Sequence, residues 1–232
     1  MTEWKVLPHG PIEQLEENLW TVTGELSIGL KRVMVIAKRD DGRLVLHGLM
    51  ALEESAQKQV ETLGEPAFLI VPSGYHRMDA ARYRDRYPNA KMLCPSGARR
   101  AVEKVAKVDG TYEDYPRDGS TELIDIDGLA KREGALVVRS KSGVTVVMND
   151  ALFNMPHAPG FTGFLFKYVT SSSAGPRVTR LARLGIIKDK AAYRGALEKL
   201  AEMKDLKRVI VAHHLPIEGD VPATLRSVAA SL

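Results

Sequence analysis

Cysteine is almost missing from this chain: Cys94 is the single one in 232 residues. An internal disulfide is therefore excluded, and a reducing compartment fits. Cys94 follows Met92-Leu93 and precedes Pro95, so it reads as a structural thiol at the end of a buried strand rather than as a nucleophile. No apolar run approaches the roughly 18 residues of a membrane span. The opening Met1-Thr2-Glu3-Trp4-Lys5 has no signal-peptide character, so the expected location is the cytoplasm. Charge of one sign is not concentrated either. Lys plus Arg number 33 against 29 Asp plus Glu, and the surplus is spread along the chain. With no compact basic block and no RNA-binding aromatic signature, neither nucleic acid nor membrane is an expected partner. Gly-x-Ser-x-Gly and Walker-type phosphate loops are absent, which sets aside those hydrolase and nucleotidase mechanisms.

What is present is an ordered grammar of strands and helices. Leu19–Thr23, Arg32–Ala37 and Leu44–His47 read as strands, the last two joined by a hairpin turn at Asp40-Asp41-Gly42. A helix is predicted from about Glu53 to Leu63, stopped by Gly64. Ala67–Val71 has no polar alternation and reads as a strand buried on both faces. A helix near Ala80–Tyr87, a strand at Lys91–Cys94 and a helix from Ser96 through Val105 follow. The second half repeats the pattern, with strands at Glu122–Ile126, Ala135–Arg139 and Val144–Met148. Residues 154 to 176, rich in Gly, Pro and Ser, are expected to be irregular and to border a site. Helices near Val178–Leu184 and Ala191–Met203, a strand at Arg208–Ala212 and a helix from about Pro222 complete the chain. No short-period repeat appears and linker composition is missing near the midpoint, so residues 1–232 read as one α/β domain. Its two halves, about 1–115 and 116–232, would each bring a sheet, packed face to face with helices outside.

Three strand ends carry a resemblance. Val147-Met148-Asn149-Asp150-Ala151-Leu152-Phe153 resembles the metallo-β-lactamase-fold segment in which a strand ends on an aspartate lying between two metal positions. Val209-Ile210-Val211-Ala212-His213-His214-Leu215-Pro216 is similar to that fold's final strand, which ends on a metal-binding histidine. Leu69–His76 occupies the place of its H-x-H-x-D-H loop, but the ligand positions there become Ser73, Tyr75, Arg77 and Met78. The third-strand histidine of the fold is replaced within Gly128–Gly134. Pro72 to His76, a Pro-x-x-x-His loop, and Arg32 to Val35, an Arg-x-x-Val strand, are similar to a divergent branch with a degenerate metal motif. The resemblance implies a four-layer αββα sandwich.

Zinc takes three or four donors from His, Cys and carboxylates. His76, Asp150 and His213 offer three, with Asp79 or His157 as a fourth. Each has an ordinary alternative. Asp150 also suits an Asx turn or helix cap, His213 a histidine that ties loops together, and His157 a packed imidazole in a proline-stiffened loop. His47 and His9 read as structural. Arg77 is placed either beside an anionic ligand or in a surface pair with Asp79 or Asp85. The basic run from Arg177 to Arg194 reads as a solvated helical face or as a lid over an anionic substrate.

Two functions follow. One is a hydrolase using a single zinc or iron ion, with Asp79 as ligand or general base and Tyr75 or Arg77 stabilising developing negative charge. The other is a metal-free relative whose cleft binds a small anionic molecule or a protein partner.

Overall fold

A computed structural model of the chain describes residues 2–26, 30–157 and 175–232. Strands β1 (His9–Glu16), β2 (Leu19–Glu25), β3 (Lys31–Lys38) and β4 (Leu44–His47) form an antiparallel meander. The turn between β3 and β4 uses Gly42 at φ 83°, a left-handed conformation that a three-residue hairpin loop requires and glycine supplies without strain. After β4 the pairing turns parallel. Strands β5 (Pro66–Ile70), β6 (Lys91–Cys94) and β7 (Gly110–Thr111) are reached by crossovers carrying α1 (Glu54–Leu63), α2 (Ala80–Arg86) and α3 (Arg99–Val102). The resulting seven-stranded sheet runs in chain order.

The second sheet begins with the antiparallel strands β8 (Thr121–Asp125), β9 (Gly134–Ser140) and β10 (Gly143–Val147). The chain then leaves for a ribbon of β11 (Phe153–Met155) and β12 (Gly175–Arg177), a π-helical turn at Ala182–Ile186 and α4 (Lys190–Ala201). It returns as β13 (Leu206–Ile210), parallel to β10, and ends in α5 (Val221–Ala230). Asp189 and Asp220 cap α4 and α5 by accepting from the backbone N–H groups of Ala192 and Ala223. Each cap satisfies one of the donors that a helix start leaves unpaired.

Three apolar layers follow from strand alternation. In β5, Phe68 and Ile70 face the other sheet, whereas Leu69 faces the helices. The central layer joins Val35, Phe68 and Ile70 of the first sheet to Leu136, Val147 and Ile210 of the second. One outer layer packs α1, α2 and α3 on the first sheet through Val60, Tyr83 and Val102. The other packs α4 and α5 on the second through Tyr193, Leu197 and Leu225. This is the αββα arrangement expected from the sequence. Among the described residues no helix is long and apolar enough to cross a membrane.

Four local expectations change. The helix expected from Ser96 through Val105 is a 3-10 turn at Ser96–Ala98 followed by the single turn of α3. The helix expected at Val178–Leu184 is a short helical segment at 180–186, whose last five residues, Ala182–Ile186, form a π-helical turn. Strand β1 was hidden because its pattern mixes Gly, Pro and charge at the sheet edge, where one side of the backbone is unpaired. The stretch from 154 to 176 is not irregular at its ends, which pair as β11 and β12. Residues 158 to 174, most of the stretch expected to border a site, lie outside the described residues.

Leu136 has no solvent exposure and sits between the sheets, so Leu136→Ala should lower unfolding free energy by about 2–5 kcal/mol. Leu184→Ala, at a side chain that is 82% exposed, should change it by less than about 0.5 kcal/mol. Urea titration of both variants checks the layer assignment.

Candidate metal centre

The site is assembled at strand ends. Asp150 and His213 each lie three residues beyond the last residue of β10 and β13, and those last residues, Val147 and Ile210, are register partners. Neighbouring parallel strands thus deliver a carboxylate and an imidazole to the same edge. His76 arrives from the loop after β5 in the facing sheet. Its approach is fixed by Ser73, whose buried hydroxyl accepts the backbone N–H groups of Tyr75 and His76 at 3.2 and 3.3 Å. Such side-chain-to-backbone bonds hold a turn where no ladder is available. Gly74 lets this loop lie directly on α3, because a Cβ there would come within 3.0 Å of the Ala101 side chain.

Nε2 of both His76 and His213 lies 3.0 Å from Asp150 Oδ1. The three donor atoms are all within 4.8 Å of one another. The two rings meet edge to face with centroids 5.1 Å apart, and Phe153 packs on His213 at 5.1 Å. Burial alone would raise the Asp150 pKa, but the two imidazoles hold it well below the usual carboxylate range.

The proton on His213 is decided by its other nitrogen. Nδ1 lies 2.7 Å from the carbonyl oxygen of Lys31, which only accepts, so Nδ1 carries the hydrogen. In a neutral ring Nε2 then turns a bare lone pair toward the Asp150 carboxylate. Two acceptors at that distance require a hydrogen between them, carried by either group, or a metal ion. Ligands about 2.0–2.2 Å from a tetrahedral zinc lie about 3.3–3.6 Å apart, so small shifts of these three donors would suit one ion. A ligating histidine ordinarily donates its second N–H to a carbonyl or carboxylate, as His213 does here.

Glu133, just before β9, is a buried carboxyl beside this cluster that the sequence does not single out. Buried at 2% exposure, it accepts the backbone N–H of Ala151 at 3.0 Å, while Tyr193 donates its hydroxyl to the Ala151 carbonyl at 3.0 Å. The residue after Asp150 is pinned from both sides. Burial, followed by the nearby Asp150 charge, raises the Glu133 pKa well above the usual range. Its signal was positional: Glu133 lies in the stretch where the resemblance places the lost third-strand histidine.

The other expected residues separate. Asp79 is buried and gives both oxygens to guanidinium groups, at 2.8 Å to Arg32 and 2.7 Å to Arg82. It anchors the start of α2 to β3 and is not in the cluster of His76, Asp150 and His213. Nor does Arg77 pair with Asp79 or Asp85; its Nη1 donates to the Ala101 carbonyl. His157 is exposed and outside the cluster. Tyr75, at 77% exposure, stands at the rim. His47 is buried, and burial reinforced by the His76 charge lowers its pKa to about 3, so it is neutral.

No protein-family model matches the chain, and no curated protein matches it significantly. Solved structures do match. DIM-1 metallo-β-lactamase exposed to ceftazidime aligns over 98% of this chain and 99% of that one, with a TM-score of 0.67 and 13% identity. This chain has the metallo-β-lactamase fold. FIM-1 metallo-β-lactamase from Pseudomonas aeruginosa, in its mono-zinc form, aligns over 98% and 97% with a TM-score of 0.62 and 11% identity. VMB-1 aligns over 98% and 99% with a TM-score of 0.65 at 8% identity. Identities this low speak for the metallo-β-lactamase fold alone.

Because the folded-state pKa of Glu133 is raised, its contribution is fully present below the unfolded value, about 4.3, and is lost as pH rises toward the folded value. Glu133→Gln keeps an acceptor for Ala151 without that loss. In chelator-treated protein, the variant's melting temperature relative to wild type should rise between pH 4.5 and pH 8. Parallel pH profiles would show that the carboxyl is not strained by burial.

Proposed function

We propose that the chain is a metal-dependent hydrolase with one divalent ion per molecule, held by His76, Asp150 and His213, and acting on a small ester, amide or phosphoester. The observation that carries this reading is the His213 tautomer: Nδ1–H is committed to the Lys31 carbonyl, and Nε2 is left facing a carboxylate and a second imidazole. Imidazole and carboxylate donors suit zinc or iron. Such an ion supplies a bound water of lowered pKa and polarises a scissile carbonyl or phosphoryl group.

The protein's own groups divide the remaining work. Asp150 stays ionised through the physiological range, so it binds or accepts a proton and does not act as an acid. Glu133 and Tyr193 fix the backbone that aims Asp150. Tyr75 and Arg77 line the adjoining cavity, where a phenol and a guanidinium suit developing negative charge. A second ion has no comparable donor set among the described residues.

Protein purified without chelator or affinity-resin metal should take up at most one zinc or iron per chain. His213→Ala and Asp150→Ala should abolish uptake, whereas His47→Ala and His157→Ala should retain it. Added zinc should raise the melting temperature of wild type but not of His213→Ala. Two tightly held ions, or none under any zinc or iron loading, would overturn this reading; the second result would favour a metal-free binding protein.

A further inference from the structure

Beside the donor cluster lies a cavity of about 250 Å³, just below the roughly 300–1,000 Å³ of typical ligand pockets. Tyr75 lines both this cavity and the smaller one that contains His76 and His213, so the two are neighbours across one side chain. Its polar lining is unusual. Ser73 is buried and already accepts two backbone N–H groups, which leaves its own O–H to donate. Arg77 is tethered through Nη1 to the Ala101 carbonyl, and the rest of its fork has no hydrogen-bond partner among the described residues. Arg132 also lines the cavity, and neither arginine has a carboxylate within salt-bridge distance among the described residues. Ala98, Ala101 and Ile186 supply apolar wall.

Two guanidinium groups with no carboxylate partner among the described residues, in one small concavity, make an attractive potential for an anion, and the planar fork fits a carboxylate in two-point contact. The apolar wall favours a guest with a short hydrocarbon part over a fully hydrated inorganic ion.

We propose that this cavity binds a small singly charged carboxylate through the Ser73 hydroxyl and the Arg77 and Arg132 guanidinium groups. The site stands on its own residues; its further role, anchoring the carboxylate end of a hydrolysable substrate beside His76, Asp150 and His213, rests on the function proposed above.

The test is calorimetric titration of the full chain with butyrate at constant ionic strength, before and after chelation, with metal content measured in parallel. Butyrate should bind in the millimolar range and equally well after chelation. Arg132→Met should weaken it at least tenfold while leaving metal content unchanged, and Ser73→Ala should weaken it several-fold. Arg132 is exposed, so its substitution does not jeopardise folding as Arg77→Met would. Butyrate binding that disappears on chelation would place the carboxylate on a metal and overturn the site. So would tighter binding of inorganic phosphate, unchanged affinity in Arg132→Met, or no binding at 50 mM. A chain that never takes up metal but still binds butyrate would sink the hydrolase reading alone and leave the carboxylate site standing.

Discussion

Two hydrogen bonds that carry the end of β13 across to the other sheet hold the cluster of His76, Asp150 and His213 in place. The Ala212 carbonyl accepts the N–H of Val33 at 2.9 Å, and one residue later the His213 ring donates to the Lys31 carbonyl. Both acceptor and donor on the far side belong to the start of β3. The chain then turns sharply through His214 at φ 69°, and Leu215 and Pro216 bond back to Asn154. A histidine that would otherwise swing on a loop is therefore fixed in position and in tautomer. Asp150 meets it because β10 and β13 run parallel and in register, and His76 meets both because β5 ends at the same edge of the facing sheet.

Much of this arrangement was legible in the sequence because it is written in period and in strand-end chemistry. Continuous apolar runs such as Phe68-Leu69-Ile70 announce strands covered on both faces, and they determine the layers. Asp150 and His213 were visible as polar residues closing such runs. Other features depend on partners far away in the chain. Asp79 resembles a ligand in the sequence, but only the fold shows Arg32 and Arg82 closing on both its oxygens. Glu133 has no local pattern that separates it from a solvated loop glutamate; its burial comes from Ala151 and Asn149 approaching it. Strand β1 and the short helical turns at 96–102 and 182–186 fall where propensity is weak and packing decides.

The electrostatics of the edge are asymmetric. On one side, a carboxylate between two imidazoles makes a place for a cation. On the other, where the resemblance would put further metal ligands, Ser73, Tyr75 and Arg77 line a cavity with Arg132. A fixed guanidinium charge there disfavours a second metal ion, and it needs no loading to be present. Cationic character at the edge is thus divided between a position that must capture its charge and positions that carry it covalently.

The distances along the chain between the site's parts have a consequence for how the protein is made. His76 and Asp150 are 74 residues apart, and the His213 ring closes on a carbonyl 182 residues earlier. Contacts of such long range carry the largest loop-closure entropy and are formed only when most of the chain has been organised. On the ribosome, the first sheet can pair and pack its helices while the final strand is still being synthesised, but it has no complete site until residues 206 to 214 emerge and dock. A nascent chain consequently lacks the three-donor cluster, which is completed only when the final strand docks.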